Sequence, residues 1–224
     1  MNIVLEPSNM RKIAYKLREE SEDLYLFFMC MYQTGYTGET ILRLKTYNLE
    51  EFIDKNKVLL ERVLIEELRI HNTEYEDGYF FRNKYSDAPM PRRTAERAIS
   101  YAAKEMLNKD DFGFKTISKT FYYEYFRNNN YNFNKLKHLF NSRRQYMGSI
   151  DIFLKYCGLT VEEYQEDYFR NKNLDVRDYM TSMKELNNTV LSICTNTNLS
   201  VVQKQSLELI LKNILIQLEP FTES

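Results

Sequence analysis

Apolar residues recur at helical spacing along nearly the whole chain. Only six glycines and four prolines stand among its 224 residues to interrupt them. Neither residue suits a helix interior: proline removes a backbone donor, and glycine loses the most conformational freedom on folding. Their scarcity predicts long helices joined by short connections. With tryptophan absent, 18 tyrosines and 14 phenylalanines must supply the bulk between those helices. The expected fold class is mainly α with a small β element.

The spacing predicts a first helix over 9–20. Ser21 then caps a second across EDLYLFFMCMYQ, which Gly35 closes as a C′ glycine, and Thr37 caps a short third across GETILRLK. The apolar run 24–32 is far shorter than the ~20 residues a membrane span needs and reads as buried helix. Residues 47–70 fit either a helix or a strand followed by a helix, because KVLLERVLI is too short for its period to decide. EDGYFFRN contains a plausible short strand, and KYSDAPMP reads as a loop. Pro91 sits at the first turn of a helix through PRRTAERAISYAAKEMLN. In that helix Ala95, Ala98, Ile99, Ala102, Ala103 and Met106 share one stripe, and Arg93, Arg97 and Lys104 share the opposite one. The basic stripe fits a solvated face or a face laid along DNA. NNNYNFN at 128–134 reads as a loop.

Two domains are expected, 1–170 and a C-terminal helical hairpin over 171–224. The last helix of the hairpin, in LSVVQKQSLELILKNILIQLEPF, carries more apolar surface than one core face uses. It is expected to be buried on two sides, either within one chain or by a second protomer in a homodimer.

Cys30, Cys157 and Cys194 are isolated, no CxxC spacing exists, and His71 and His138 are the only histidines. A zinc site and a disulfide framework are therefore not expected, nor any cofactor, and a reduced cytoplasm is the expected setting. The N-terminal residues lack the apolar core of a signal peptide, and no membrane partner is expected. The formal net charge of -1 does not advertise nucleic-acid binding. A local basic face is what decides that question.

Four motifs lie in order along the chain, the first being TGYTGETILRLK at 34–45 and the others falling between Gly113 and Thr160. Together they resemble the catalytic boxes of the tyrosine recombinases, the phage integrase superfamily. The first box, T-G-x-R-x-x-E-x-x-x-L, meets Thr34, Gly35, Tyr36, Thr37, Gly38, Thr40 and Leu44, with Glu39 slightly displaced. Thr37 stands in the arginine's place, and Arg43 lies nearly two helical turns away from it. GYFFRNKYSDAPMPRRTAERAISYAAKEM then resembles the family's strand, turn and DNA-facing helix. The second box, H/K-x-x-R-K-T-F, meets Lys115, Thr116, Ile117, Ser118, Lys119, Thr120 and Phe121. Lysine is an accepted variant at its first place, whereas Ser118 replaces a required guanidinium. The third box, L-x-x-L-L-G-H, runs from Leu136 to Ser142, with Ser142 where the histidine belongs and His138 one turn earlier. IDIFLKYCGLT matches the last box and makes Tyr156 the former nucleophile. The spacing from Ser142 to Tyr156 is a few residues longer than in the family. No box is specific alone; their order, with TAERAISYAAKE and SKTF, carries a resemblance over residues 10–160.

The resemblance implies a recombinase-like helical fold without its chemistry. Cleavage by tyrosine builds a negatively charged phosphorane, which the family meets with two bidentate arginines. Losing one comparable stabiliser costs ~10²–10³ in rate, and here both are replaced, with the histidine as well. Tyr156 is then expected to be inert, with an ordinary pKa of about 10, or simply a packed aromatic. No counterpart of the family's β-hairpin lysine is expected, since residues 45–80 look abbreviated. The vestigial positions are Thr37, Lys115, Ser118, Ser142 and Tyr156. The family's N-terminal clamp domain is expected either to be missing or to lie outside this sequence, since few residues precede Thr34. Binding would then rely on one face and on dimerisation. Expected contacts to double-stranded DNA are Arg82, Lys84, Arg92, Arg93, Arg97, Lys115, Lys119, Arg143 and Arg144. The implied role is repression for a prophage or mobile element, similar in kind to the integrase-like repressors of SPβ-type phages, with a protein or peptide as possible regulator. Two alternatives stay open: a protein–protein adaptor on the same fold, and a recombinase active with unorthodox residues.

Overall fold

The structure, a computed structural model, describes residues 4–73, 78–143 and 147–171. These are mainly helical, with one small two-stranded sheet. The chain divides into two compact units between Gly158 and Leu159. The expected C-terminal hairpin and its role in a dimer lie outside the described residues.

Helix α1 spans Pro7–Glu20 and α2 spans Glu22–Thr34. Ser21 stands at the N-cap of α2 as expected, but its side chain makes no capping hydrogen bond. The chain there is extended, and the Ser21 amide instead closes α1 on the Leu17 carbonyl. Helix α2 is the buried one: Leu26, Phe27, Phe28, Cys30 and Met31 are all excluded from solvent. It packs against α1 and against three later helices, over Arg62–Thr73, Arg92–Leu107 and Phe114–Asn128. Gly35 closes it in the left-handed region at φ 69°, its amide on the Met31 carbonyl at 2.9 Å.

Thr37 caps α3 (Gly38–Leu42), accepting from the Thr40 amide at 3.3 Å. The helix ends earlier than GETILRLK suggested. A 3-10 turn at Thr46–Asn48 leads into α4 (Leu49–Asn56), and α5 follows at Arg62–Thr73. The strand reading of KVLLERVLI falls away, since its residues divide between the connection and α5. Val58 and Val63 of that run stay exposed, while Leu60 and Leu64 are buried.

The next segment corrects two expectations. The strand expected in EDGYFFRN shrinks to β1 (Arg82–Asn83), and the loop expected at KYSDAPMP contains β2 (Ser86–Pro89). They pair antiparallel, Arg82 opposite Pro89 and Asn83 opposite Ser86, with an irregularity between. The preceding residues also pair: the Phe80 amide donates to the Leu44 carbonyl at 2.8 Å, and Tyr79 bridges to Lys45. Phe80 and Phe81 are both fully buried, and Phe81 meets Phe27 edge-on at 5.6 Å. Proline in β2 is tolerated because an edge strand of two needs no second set of donors.

Pro91 is the N-cap of α6 (Arg92–Leu107), one place ahead of its expected position. Helices α7 (Phe114–Asn128), α8 (Phe133–Ser142) and α9 (Ile150–Cys157) complete the first unit. Helix α7 joins two aromatic clusters. Phe114 at its start packs on Phe27 at 5.4 Å, and further along Tyr122 stacks on Phe140 of α8 at 4.1 Å. Phe126 meets Phe153 of α9 at 5.3 Å. In the second unit the described helix is α10 (Val161–Asn171). A reciprocal capping box opens it: the Glu163 amide donates to Thr160 Oγ1, and the Thr160 amide to the Glu163 carboxylate.

A Cβ placed on Gly35 would run into the Phe121 ring. Gly35→Ala therefore combines left-handed strain of ~1–2 kcal/mol with overpacking of ~1–3 kcal/mol. Urea unfolding should show a loss of about 2–5 kcal/mol; a loss below 1 kcal/mol would mean that the α2–α7 contact yields freely.

Candidate functional site

Each recombinase-like box can be followed to a place in the fold. Thr37 is exposed, and its hydroxyl serves the start of α3, bonded to the Thr40 amide and 2.9 Å from the Thr40 hydroxyl. The next residue, Gly38, is buried where the Phe114 ring leaves no space for a Cβ. Glu39 accepts from Arg92 Nη1 at 3.0 Å, and the Arg92 guanidinium lies 5.8 Å from the Phe114 ring centre. The starts of α3, α6 and α7 therefore share one corner of the molecule. Thr37, Arg92 and Lys115 stand on or beside it, and Lys115 is exposed.

Ser118 is half-buried, one turn before Tyr122 on α7. Ser142 is exposed, and its hydroxyl donates to the Leu139 carbonyl at 2.7 Å, closing α8 on itself. Tyr156 is half-buried, edge-on to Phe140 at 6.3 Å, with the Lys119 ammonium 5.3 Å from its ring centre. Among the described residues no hydrogen bond joins Thr37, Ser118 or Ser142 to Tyr156. Tyr156 meets Lys119, while Thr37 and Lys115 stand with the α3, α6 and α7 starts, and Ser118 and Ser142 join neither group.

Burial, reinforced by neighbouring Cys157, pushes the Tyr156 phenol up to about 12. That is the reverse of the shift a nucleophile working at neutral pH requires. Burial also raises the Tyr122 phenol, and Tyr156 adds to the effect while Arg143 opposes it. The Tyr122 hydroxyl donates to the Gly35 carbonyl at 3.0 Å, which ties α7 to the loop that carries the first box.

Arg143 is the cation that the sequence understated. Its guanidinium carbon lies 3.8 Å from the Tyr36 ring centre, and Nη2 donates at 2.6 Å to Oδ1 of Asn56, a residue only 1% exposed. It thus bolts the end of α8 to the end of α4 and to the loop beside Thr37. A side chain so engaged is structural first, whatever else it touches.

The remaining cations differ in their freedom. Arg82 is half-buried and donates from Nε to the Tyr79 carbonyl at 3.1 Å; Lys84 is exposed in the hairpin turn. Both line a groove of about 1250 Å³ together with Glu20, Asp23 and Asp87, so its charge is mixed. Arg92 is held by Glu39 and Glu96, and Lys104 by Asp110 at 2.8 Å. Arg93 and Arg97 are exposed and, among the described residues, have no acidic partner. Behind them Ala95, Ile99, Ala102 and Ala103 are fully buried, as the expected stripe requires, while Ala98 and Met106 are half-buried. Arg144 lies outside the described residues.

Sequence reasoning missed Tyr36, Asn56 and Tyr122, because their partners stand far away in the chain. Among the described residues no group of His, Cys, Asp or Glu could hold a metal ion, and no helix is long and apolar enough to cross a membrane. Comparison with known proteins finds no matching family, no matching curated protein and no matching solved structure.

Three outcomes follow from this geometry. A phenol raised in the folded state favours folding below its unfolded pKa of about 10 and loses that contribution as pH rises through the folded value. The ultraviolet titration difference between the native chain and Tyr156→Phe should therefore appear near pH 12. A difference already complete at pH 10 would mean an open phenol. Arg143→Ala strands the buried Asn56 oxygen and should cost about 1–3 kcal/mol in urea unfolding. Arg93→Ala with Arg97→Ala should stay within about 0.5 kcal/mol per site.

Proposed function

We propose that this chain grips duplex DNA on a recombinase-like helical scaffold that no longer cuts it, and that it acts as a transcriptional regulator, a repressor of a prophage or mobile element. The observation that carries the proposal is α6: two unpaired guanidiniums one turn apart, on a helix whose other side is locked into the core by alanines. Phosphate contacts from cations fix the position of a protein on DNA, and a helix face with free guanidiniums can reach base edges in the major groove. Lys115 at the neighbouring corner, and Lys84 in the hairpin turn, suit phosphate contacts at the rim. Arg92, Lys119 and Arg143 contribute less than their charge suggests, because carboxylates, an aromatic ring or a buried amide already engage them.

Silence in cleavage rests on Tyr156. Its phenol is raised, the cation against its ring is the single ammonium of Lys119, and the hydroxyls of Thr37 and Ser142 are spent on helix ends. Two bidentate arginines hold a phosphorane through fixed forks of donors; one lysine is a point charge and cannot reproduce that geometry. The adaptor reading draws on the acidic partners of Arg92 and Lys104 and on the net charge of -1.

Two measurements test this. Gel-shift affinity for duplex DNA should fall steeply with salt, by roughly 0.9 in log–log slope for each phosphate neutralised, and Arg93→Ala with Arg97→Ala should flatten it. No binding at low salt would leave the adaptor. A nicked suicide duplex should trap no covalent protein–DNA product on a denaturing gel. A trapped product that disappears in Tyr156→Phe would establish an active recombinase instead.

A further inference from the structure

Helix α6 also displays a side chain that neither packing nor charge accounts for. Tyr101 is 59% exposed and, among the described residues, makes no hydrogen bond or ring contact. It falls in series with Arg93 and Arg97, each four positions from the last, so all three leave the same side of the helix. The helix cannot roll to bury the phenol, because Ala95, Ile99, Ala102 and Ala103 behind it are fully enclosed. Nearby Lys104 is occupied by Asp110. Along this line Arg93 and Arg97 are followed by Tyr101, and then by Glu105, which is paired with Lys16.

We infer that Tyr101 reads a thymine in the DNA site, next to the bases or phosphates that Arg93 and Arg97 hold; this rests on the DNA-binding reading above. At ~1.5 Å per residue, Arg93 and Tyr101 stand about 12 Å apart along the helix. That matches three to four base pairs at ~3.4 Å each, within reach of one helix in one groove. Guanidiniums are satisfied by guanine edges and phosphate oxygens, but a phenol ring needs an apolar surface. On a base edge in the major groove, that surface is the C5-methyl of thymine. The hydroxyl beyond the ring remains wet or meets a phosphate, so the ring carries the discrimination. An exposed tyrosine suits this work because it offers a large rigid contact at small cost in side-chain entropy.

The probe is a duplex enriched from a randomised pool by the full chain, remade with uracil for thymine to remove the methyl groups alone. One methyl group's worth of burial predicts that the replacement weakens wild-type binding about fourfold. Tyr101→Ala should bind the thymine duplex weaker by a similar factor, ignore the uracil replacement, and keep the wild-type salt slope. Tyr101→Phe should keep the thymine preference, and Tyr47→Ala, exposed away from α6, should change nothing. Thermal melting of each variant checks that the fold is intact. If wild type binds its enriched duplex but is indifferent to uracil, or if Tyr101→Ala keeps the preference, the inference falls and DNA binding stands. A flatter salt slope in Tyr101→Ala would make the residue a phosphate contact and overturn base reading. If no duplex is enriched, DNA binding falls and takes Tyr101 with it.

Discussion

The contact on which the first unit depends most is that of Tyr122. Its ring is fully buried and stacks on Phe140 at 4.1 Å, while its hydroxyl reaches the Gly35 carbonyl at 3.0 Å. One residue thereby fastens α8 to α7 and α7 to the loop between α2 and α3. A buried phenol must satisfy its hydroxyl, so the loop is held at hydrogen-bonding distance and angle, not merely nearby. Gly35 is shaped by the same contact, since its missing side chain admits Phe121. Arg143 works in parallel from the end of α8, stacking on Tyr36 and bonding to Asn56. Together they surround the loop with aromatic surface and leave little room for it to rearrange.

That rigidity bears on the proposed loss of cleavage. Three of the positions that the resemblance assigns to catalysis, one each for an arginine, the histidine and the nucleophile, are committed to local structure. Thr37 caps α3, Ser142 closes α8, and Tyr156 is an edge contact for Phe140. Restoring one guanidinium would place a charge at a position whose local bonds serve a hydroxyl. Non-additivity adds to the difficulty, because catalytic groups that act as a unit give little when returned singly. The same hydroxyls that would spoil catalysis strengthen a scaffold, and a binding protein needs the scaffold alone.

The helical layout was legible because its signals are local. The apolar run 24–32 became the buried helix α2, Gly35 took the left-handed closing position, and Thr37 capped α3 with its own oxygen. The alanine stripe of α6 appeared on the buried side for the same reason, since period alone separates its faces. The hairpin at 82–89 was not legible: its strands are two and four residues long, and Ser86, Asp87 and Pro89 are poor strand formers. Arg143 illustrates a second limit. Its partners Tyr36 and Asn56 lie in other helices' neighbourhoods, and nothing near Arg143 in the chain announces them. Sequence therefore marked it as a free cation, and the fold made it a bolt. Several box positions also serve ordinary caps and cores: Thr37 caps α3, Ser142 closes α8 and Tyr156 packs on Phe140.

Net charge conceals how the cations are distributed. The chain's 31 lysines and arginines and 32 acids, spread evenly, would leave no face for an anion, by the ordinary screening of exposed pairs over a Debye length of about 8 Å. The acids here are not spread evenly. Glu39 and Glu96 gather on Arg92, Asp110 takes Lys104, and Glu105 takes Lys16, each from a neighbouring turn or helix. These pairs border α6 on both sides and at its end, yet none reaches Arg93 or Arg97. Surface pairs of this kind contribute little to stability, typically under ~1 kcal/mol. Their greater effect is to hold carboxylates at the margin of the helix, which confines positive potential to its outermost line. A narrow cationic line on a rigid helix favours an anion of matching shape over any diffuse polyanion. Under the proposed DNA-binding role, α6 alone would give modest affinity, and the Lys115 corner and the hairpin turn would have to add contacts.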